Sequence, residues 1–216
     1  MRMRKKKHGA ERIAACAELL MTKPEAPLTD PNLCFDAPRA LALEIGCGKG
    51  NFACGMAAAH PEMNFFAMER VADCACIALE KAKSQAESRS GDNLRFLIGD
   101  AKTLTEYFAP HTFDRLYLNF SDPWPKAGHA KRRLTHRGFL ELYRSLLKEG
   151  GMLCFKTDNE GLFDFSLEEF AAAGLTVEWQ TRDLHHTEKA ADNIMTEYET
   201  NFSSKGFPIY SVWVRF

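Results

Sequence analysis

The chain carries almost no net charge. Its 28 lysines and arginines meet 29 aspartates and glutamates, leaving −1 at pH 7 over 216 residues. A uniformly basic nucleic-acid binder is therefore excluded, and any phosphate contact has to come from charge segregated along the chain. No apolar run approaches the ~18 residues that cross a bilayer, so no membrane span is expected. A disulfide framework is missing too. The seven cysteines, at 16, 34, 47, 54, 74, 76 and 154, are odd in number and irregular in spacing, which fits a reducing cytoplasm. Cys74 and Cys76 form the one close pair and there is no HExxH, so no metal site is expected. Repeats, low-complexity segments and long linkers are also lacking. Residues 1–216 are accordingly expected to form a single domain.

What is present is an ordinary globular balance, 45% hydrophobic and 26% charged. Residues 1–35 open with a basic arm, Arg2, Arg4, Lys5, Lys6 and Lys7. A weakly apolar stretch follows, broken by Glu11, Arg12 and Glu18. It is a poor signal-peptide core, and an amphipathic helix is expected there. Beyond it, short apolar runs alternate with longer helical patterns. Strands are predicted at 41–45, 64–68, 94–98, 113–120 and 152–155, and in LTVEWQ and YSVWVRF; helices are predicted at 51–59, 73–89 and 136–148. Gly150-Gly151 is expected to end the last of these helices. Phe163, Leu167 and Phe170 mark a further helix face before Gly174. The alternation implies an α/β fold, with a mostly parallel sheet and helices on both faces. Ligands of such sheets lie beyond the carboxyl ends of the strands.

Gly46, Gly48 and Gly50 follow the first strand as G-x-G-x-G. Asn51 stands where the dinucleotide fingerprint wants a third glycine, and GKG supplies no phosphate-binding loop. Acids surround the turn instead. Glu44 precedes it and suits an ammonium group. Glu69 ends the next strand, about 20 residues beyond Gly50, where a carboxylate accepts from ribose hydroxyls. Asp100 ends the third strand, in place to meet an adenine edge. Acids without a phosphate-binding cation favour S-adenosylmethionine over NAD.

The fourth strand leads into NFSDPWPKAGHAKRRL, residues 119–134. Two prolines stiffen a turn that holds Asp122 and Trp124. Trp124 either packs into the core or stacks on a base. Lys126, His129, Lys131, Arg132 and Arg133 then form a cation run beside the turn, placed for phosphate contact.

Taken together, LEIGCGKG, AMER, SDPWPK-x-x-H-x-KRRL, FKTDN at 155–159 and TEYE at 196–199 closely resemble the bacterial tRNA (guanine-N7-)-methyltransferases, over nearly the whole chain. The resemblance implies a Rossmann-like class I methyltransferase fold with a seven-stranded, mostly parallel sheet. It implies methyl transfer from S-adenosylmethionine to N7 of a guanine in the tRNA variable loop. Glu44, Gly46, Gly48, Glu69, Asp100 and Asp122 fall at its cofactor positions, Asp122 being also its proposed catalytic residue. Lys126, Asp158, Thr196, Glu197, Tyr198 and Glu199 fall at its substrate positions. Gly128, His129, Ala130, Lys131, Arg132 and Arg133 match its RNA-contacting loop, although Gly128 and Ala130 offer no polar group there. A monomer or a homodimer is compatible with the sequence. Two other functions stand beside this one: methylation of an exocyclic amine, from a faint likeness of SDPW to [DNS]-P-P-[YFW] loops, and a non-catalytic RNA-binding role. An NAD-dependent oxidoreductase is disfavoured by Asn51.

Overall fold

The computed structural model describes residues 6–86 and 91–216. Arg2, Arg4 and Lys5 of the basic arm, and the last residues of the helix predicted at 73–89, lie outside them. The apolar runs form seven strands: β1 (Ala40–Ile45), β2 (Met63–Glu69), β3 (Leu94–Ile98), β4 (Phe113–Asn119), β5 (Leu147–Thr157), β6 (Thr176–Thr181) and β7 (Tyr210–Arg215). They make one sheet in the order β3-β2-β1-β4-β5-β7-β6. Only β7 runs antiparallel, to both β5 and β6. The order reverses between β1 and β4, and that switch point opens a crevice at the carboxyl ends of both strands.

The helices are α1 (Gly9–Ala14), α2 (Asn51–Ala59), α3 (Ala72–Ser84), α4 (Arg137–Leu146), α5 (Glu160–Ala172) and α6 (Glu197–Ser203). Alternation along the strands sorts the core into two layers. Leu41, Leu43 and Ile45 of β1 share one layer with Phe139 and Tyr143 of α4 and Phe163 and Phe170 of α5. Ala42 faces the other, with Phe52 and Met56 of α2 and Leu79 of α3. Phe66, Phe108 and Phe113 meet edge-on, centroids 4.8–6.1 Å apart, and each ring removed from water contributes roughly 1.5–3 kcal/mol.

Two sequence expectations need correction. The N-terminal amphipathic helix is only the six residues of α1, and none of them is buried. Burial starts at Cys16 and Leu19, where the chain has tightened to a 3₁₀ turn at Ala17–Leu19. Ile13 alone of α1 packs, half-buried, against the core, and an ion pair adds to it: Arg12 donates to both carboxylate oxygens of Glu80 on α3, at 2.7 and 2.6 Å. Gly150-Gly151 likewise does not end a helix. The helix stops at Leu146, Leu147 already pairs with Phe113, and Gly150 at φ 73° kinks the interior of β5. The register shift between Phe113 and Arg115 absorbs that kink.

Candidate active site

The crevice is a cavity of about 440 Å³, lined among others by Gly46, Glu69, Asp100, Asn119, Asp122 and Trp124. Four chain segments, the ends of β1, β2, β3 and β4, thus deliver their terminal residues to one space. Gly46 (φ 86°) and Gly48 (φ 56°) take conformations that side chains avoid, and a Cβ at either would meet nothing within 4 Å. That open ground leaves the backbone of the turn accessible to close approach. Gly50 is glycine for another reason: a Cβ there would lie 2.8 Å from Cβ of Ala78, so it sets how closely α2 approaches α3.

The turn is fixed by carboxylates and carbonyls. Glu69 accepts from the amides of Gly48 (2.9 Å) and Val71 (2.7 Å), one on each oxygen. Gly46 and Cys47 both donate to the carbonyl of Met68. Asp100 accepts from the amide of Lys102 at 3.0 Å, with the Arg70 guanidinium 3.9 Å away. Glu44 is 2% exposed. Its Oε1 accepts from Asn119 at 2.9 Å, while Oε2 is buried without a partner among the described residues. Burial pushes its carboxyl up to about 7, against the hydrogen bond from Asn119 and the charge of Lys156. Neither Glu44 nor Gly48 lines the cavity itself; both stand just behind its wall.

The 119–134 stretch leaves β4 through two strained residues. Phe120 (φ 53°) and Trp124 (φ 42°) both hold left-handed backbone, a conformation costly for bulky side chains and concentrated at functional sites. Phe120 is pinned by its amide to the Lys156 carbonyl at 2.8 Å. Arg133 donates to the carbonyls of Pro123 and Trp124, both at 3.0 Å, and its guanidinium lies 4.2 Å from the Phe165 ring centroid. Arg132 covers the Trp124 ring at 4.9 Å. Trp124 is thus half-buried under its own loop's arginine, at the cavity edge. Asp122 is exposed, lines the cavity and has no hydrogen-bond or ion-pair partner among the described residues. Lys126 and Lys131 are exposed and likewise unpaired, on the ends of the 3₁₀ turn Ala127–Arg132 that carries Gly128, His129 and Ala130.

The remaining predicted residues gather on and beside α6. Thr196 caps that helix, and its side chain and that of Glu199 form a reciprocal capping box. Glu197 pairs with Lys81, which also reaches Asn51 at the start of α2. Tyr198 donates to Asp158 at 3.2 Å, and partial burial beside that carboxylate pushes its hydroxyl up to about 12. Glu199 points inward and is fully buried. It accepts from Lys156 at 2.8 Å and Asn193 at 2.6 Å, with the His185 ring 3.0 Å away. Any influence of Glu199 on a ligand therefore passes through these neighbours.

The sequence carries Lys156 inside FKTDN, just after the strand predicted at 152–155, without marking what it would bind. In the structure it joins the parts. Besides Glu199, its ammonium donates to Asn193 (2.9 Å) and the Ile194 carbonyl (3.0 Å), and lies 5.1 Å from the Phe52 ring centroid. Burial lowers its pKa, with Glu199 and Glu44 opposing the shift. Asn119, the bridge to Glu44, had no signal beyond standing at a strand end. The capping box did have one, since T-x-x-E is legible in TEYE.

A reversed last strand in a seven-stranded sheet, and acids beyond successive strand ends, define a class I methyltransferase, and solved structures share that fold. A 16S rRNA methyltransferase, KamB, superposes with a TM-score of 0.60 over 82% of this chain and 87% of its own, at 13% identity. An antibiotic-related methyltransferase gives 0.61 over 90% and 96%, at 16% identity. Residues 38–212 match a family model described as "Putative methyltransferase". The tRNA (guanine-N(7)-)-methyltransferase of Brevibacillus brevis is 51% identical over 178 residues, 82% of this chain and 81% of that protein. Those of Lacticaseibacillus casei (41%) and Limosilactobacillus reuteri (43%) match over 100% of this chain and 99% and 100% of theirs. The chain belongs to the tRNA (guanine-N(7)-)-methyltransferase family.

Proposed function

We propose that this chain methylates N7 of a guanine in the variable loop of tRNA. The observation that carries the reading is Asp122: an exposed carboxylate without a partner among the described residues, held at the cavity edge by a strained loop that runs on to the exposed, unpaired Lys126 and Lys131. S-adenosylmethionine, when bound, supplies the methyl group from a sulfonium centre. The open glycine ground at 46 and 48 and the orphaned Oε2 of Glu44 suit such a ligand. Glu69 would hold the ribose hydroxyls, Asp100 the adenine edge, and Glu44 the ammonium end.

Guanine N7 has a free lone pair and no proton, so the chain needs no general base for the transfer. Its tasks are to exclude water, to hold the purine in line and to accept positive charge growing on the ring. Asp122 suits the last two, as an anchor for the guanine edge and a counter-charge. Asp158 and Tyr198, joined to each other and to the cavity through the Phe120 ring, would contact the guanine, with Thr196 and Glu197 at the start of α6. Lys126, Lys131 and Arg132 hold backbone phosphates, and Arg133 keeps the loop in shape. Both walls rise from one sheet, which supports residues 1–216 as a single domain. One chain supplies every group named, so a monomer suffices. We place it in the cytoplasm, with its tRNA substrate and in keeping with seven cysteines of which none forms a disulfide.

The test is transfer of label from S-adenosylmethionine to unmodified tRNA, followed by borohydride–aniline cleavage, which cuts at N7-methylguanosine. Label with cleavage in the variable loop is expected. Label without cleavage would move the target to another atom, such as an exocyclic amine. No label despite bound cofactor would leave an RNA-binding protein without this activity.

A further inference from the structure

Four aromatic rings run outward in file from the cavity. The Phe120 ring, which lines it, lies 5.1 Å from Tyr198. Tyr198 stacks on Phe202 at 4.2 Å with planes 15° apart, and Phe202 meets Phe207 at 5.7 Å. The file begins beside Asp122 and ends in water, for Tyr198 is 43% exposed and Phe207 53%. Its outer end is preorganised. The amide of Phe207 reaches back to the Phe202 carbonyl, that of Gly206 to the Ser203 carbonyl, and Gly206 takes φ 77°. This is a Schellman closure of α6, and it fixes the two phenylalanine rings against each other. Such a cap needs one apolar contact; it does not call for a ring as exposed as Phe207. The Lys205 ammonium stands 5.4 Å from the Phe202 ring centroid, adding a cation beside the file.

We propose that this ladder is a stacking platform for unstacked nucleotides flanking the target guanine. The inference rests on the tRNA reading above. A base presented to the cavity leaves its stack, and its neighbours lose a stacking partner. Aromatic faces replace that partner whatever the base, because every base has a π-face. The ladder is continuous with the cavity through Phe120, so RNA held there by its guanine has adjoining nucleotides within reach of Tyr198, Phe202 and Phe207. The basic run at 126–133 leaves the same residue along the chain. Phosphates and bases are thus received on two surfaces that share Phe120.

The experiment is binding of unmodified tRNA to wild type, Phe207→Leu, Phe202→Leu and Phe207→Trp over a salt series, with S-adenosylmethionine affinity measured as a check of the fold. Leucine keeps apolar bulk and removes the π-face. Each leucine variant is expected to bind tRNA about tenfold more weakly. The slope of log K against log salt should stay unchanged, because no phosphate contact is lost. Phe207→Trp should restore affinity. Wild-type affinity in both leucine variants would overturn the proposal. So would a loss of affinity that tracks dissociation of a dimer in sedimentation, which would give the ladder to a second copy of the chain. If wild type transfers methyl to tRNA and the variants bind unchanged, the ladder alone fails; if wild type neither binds nor methylates tRNA, the function it rests on fails with it.

Discussion

At the glycine turn the carboxylates are already engaged, whereas along 126–133 Lys126 and Lys131 meet no acid among the described residues. Glu69 holds two backbone amides, Asp100 holds one, and Glu44 holds Asn119. Cations elsewhere are mostly paired too: Arg12 with Glu80, Arg39 with Asp36, Arg137 with Glu169. Among the described residues Lys126 and Lys131 are not. The wall proposed for the cofactor is therefore preformed by the chain itself, while the wall proposed for RNA presents charge that finds no acid among the described residues. Asp122 belongs to the second kind, although it also faces the first.

The comparison is broken most severely by uncoupling the walls at Lys156. Lys156→Met leaves Glu199 fully buried without its cation, and removing one member of a buried pair costs about 3–5 kcal/mol. Urea denaturation should show that loss. Lys156→Met combined with Glu199→Gln should recover much of it, because no uncompensated charge remains. If the double variant is no better than the single one, the pair is not what holds the loop at 193–194. Asp122→Ala comes next. Counter-charge placed where charge develops is worth ~10²–10³ in rate, so single-turnover transfer should fall by that factor while the protein remains folded. Full turnover would remove Asp122 from catalysis.

Lys156 also shows where the sequence stopped being readable. The sheet was legible because parallel strands buried on both faces read as near-continuous apolar runs, as in FFAM and in LALEI, broken only by Glu44. Strand ends in such a sheet converge, so position nominated Glu44, Glu69 and Asp100; Glu69 and Asp100 line the cavity, and Glu44 does not. Long-range partnerships carry no such mark. Nothing near Lys156 announces Glu199, 43 residues on. TEYE drew attention as a recognition segment, yet two of its side chains build a helix cap and only Tyr198 is exposed. The glycine pair at 150–151 misled for a related reason: positive φ serves a kinked strand as well as a helix end.

Glu44 sharpens the contrast by making the preformed wall depend on pH. Its folded pKa of about 7 lies above the ordinary 4.5. Its contribution to stability is therefore complete below about pH 4.5 and lost as pH rises through 7, by up to about 3 kcal/mol. Glu44→Gln should flatten that decline in apo-protein denaturation between pH 5 and 8. A cationic ligand binds the ionised form, so S-adenosylmethionine affinity should strengthen as pH rises toward about 7, by at most tenfold per unit, and then level off. Calorimetry across that range checks it; a flat profile in wild type would mean the cofactor does not meet this carboxylate.

The smallest effect is the most direct test of the comparison itself. Lys131 is unpaired, whereas Lys83 is paired with Glu18 at 2.9 Å. Both are surface lysines, so simple charge removal treats them alike. If unpaired cations mark the RNA wall, Lys131→Ala should weaken tRNA binding a few-fold and lower the salt slope by about one phosphate contact. Lys83→Ala should leave both untouched. Equal effects would mean that tRNA responds to the overall field, and pairing would carry no information about the interface. An effect confined to Lys131 would show that the absence of an intramolecular partner is itself the record of an intermolecular one.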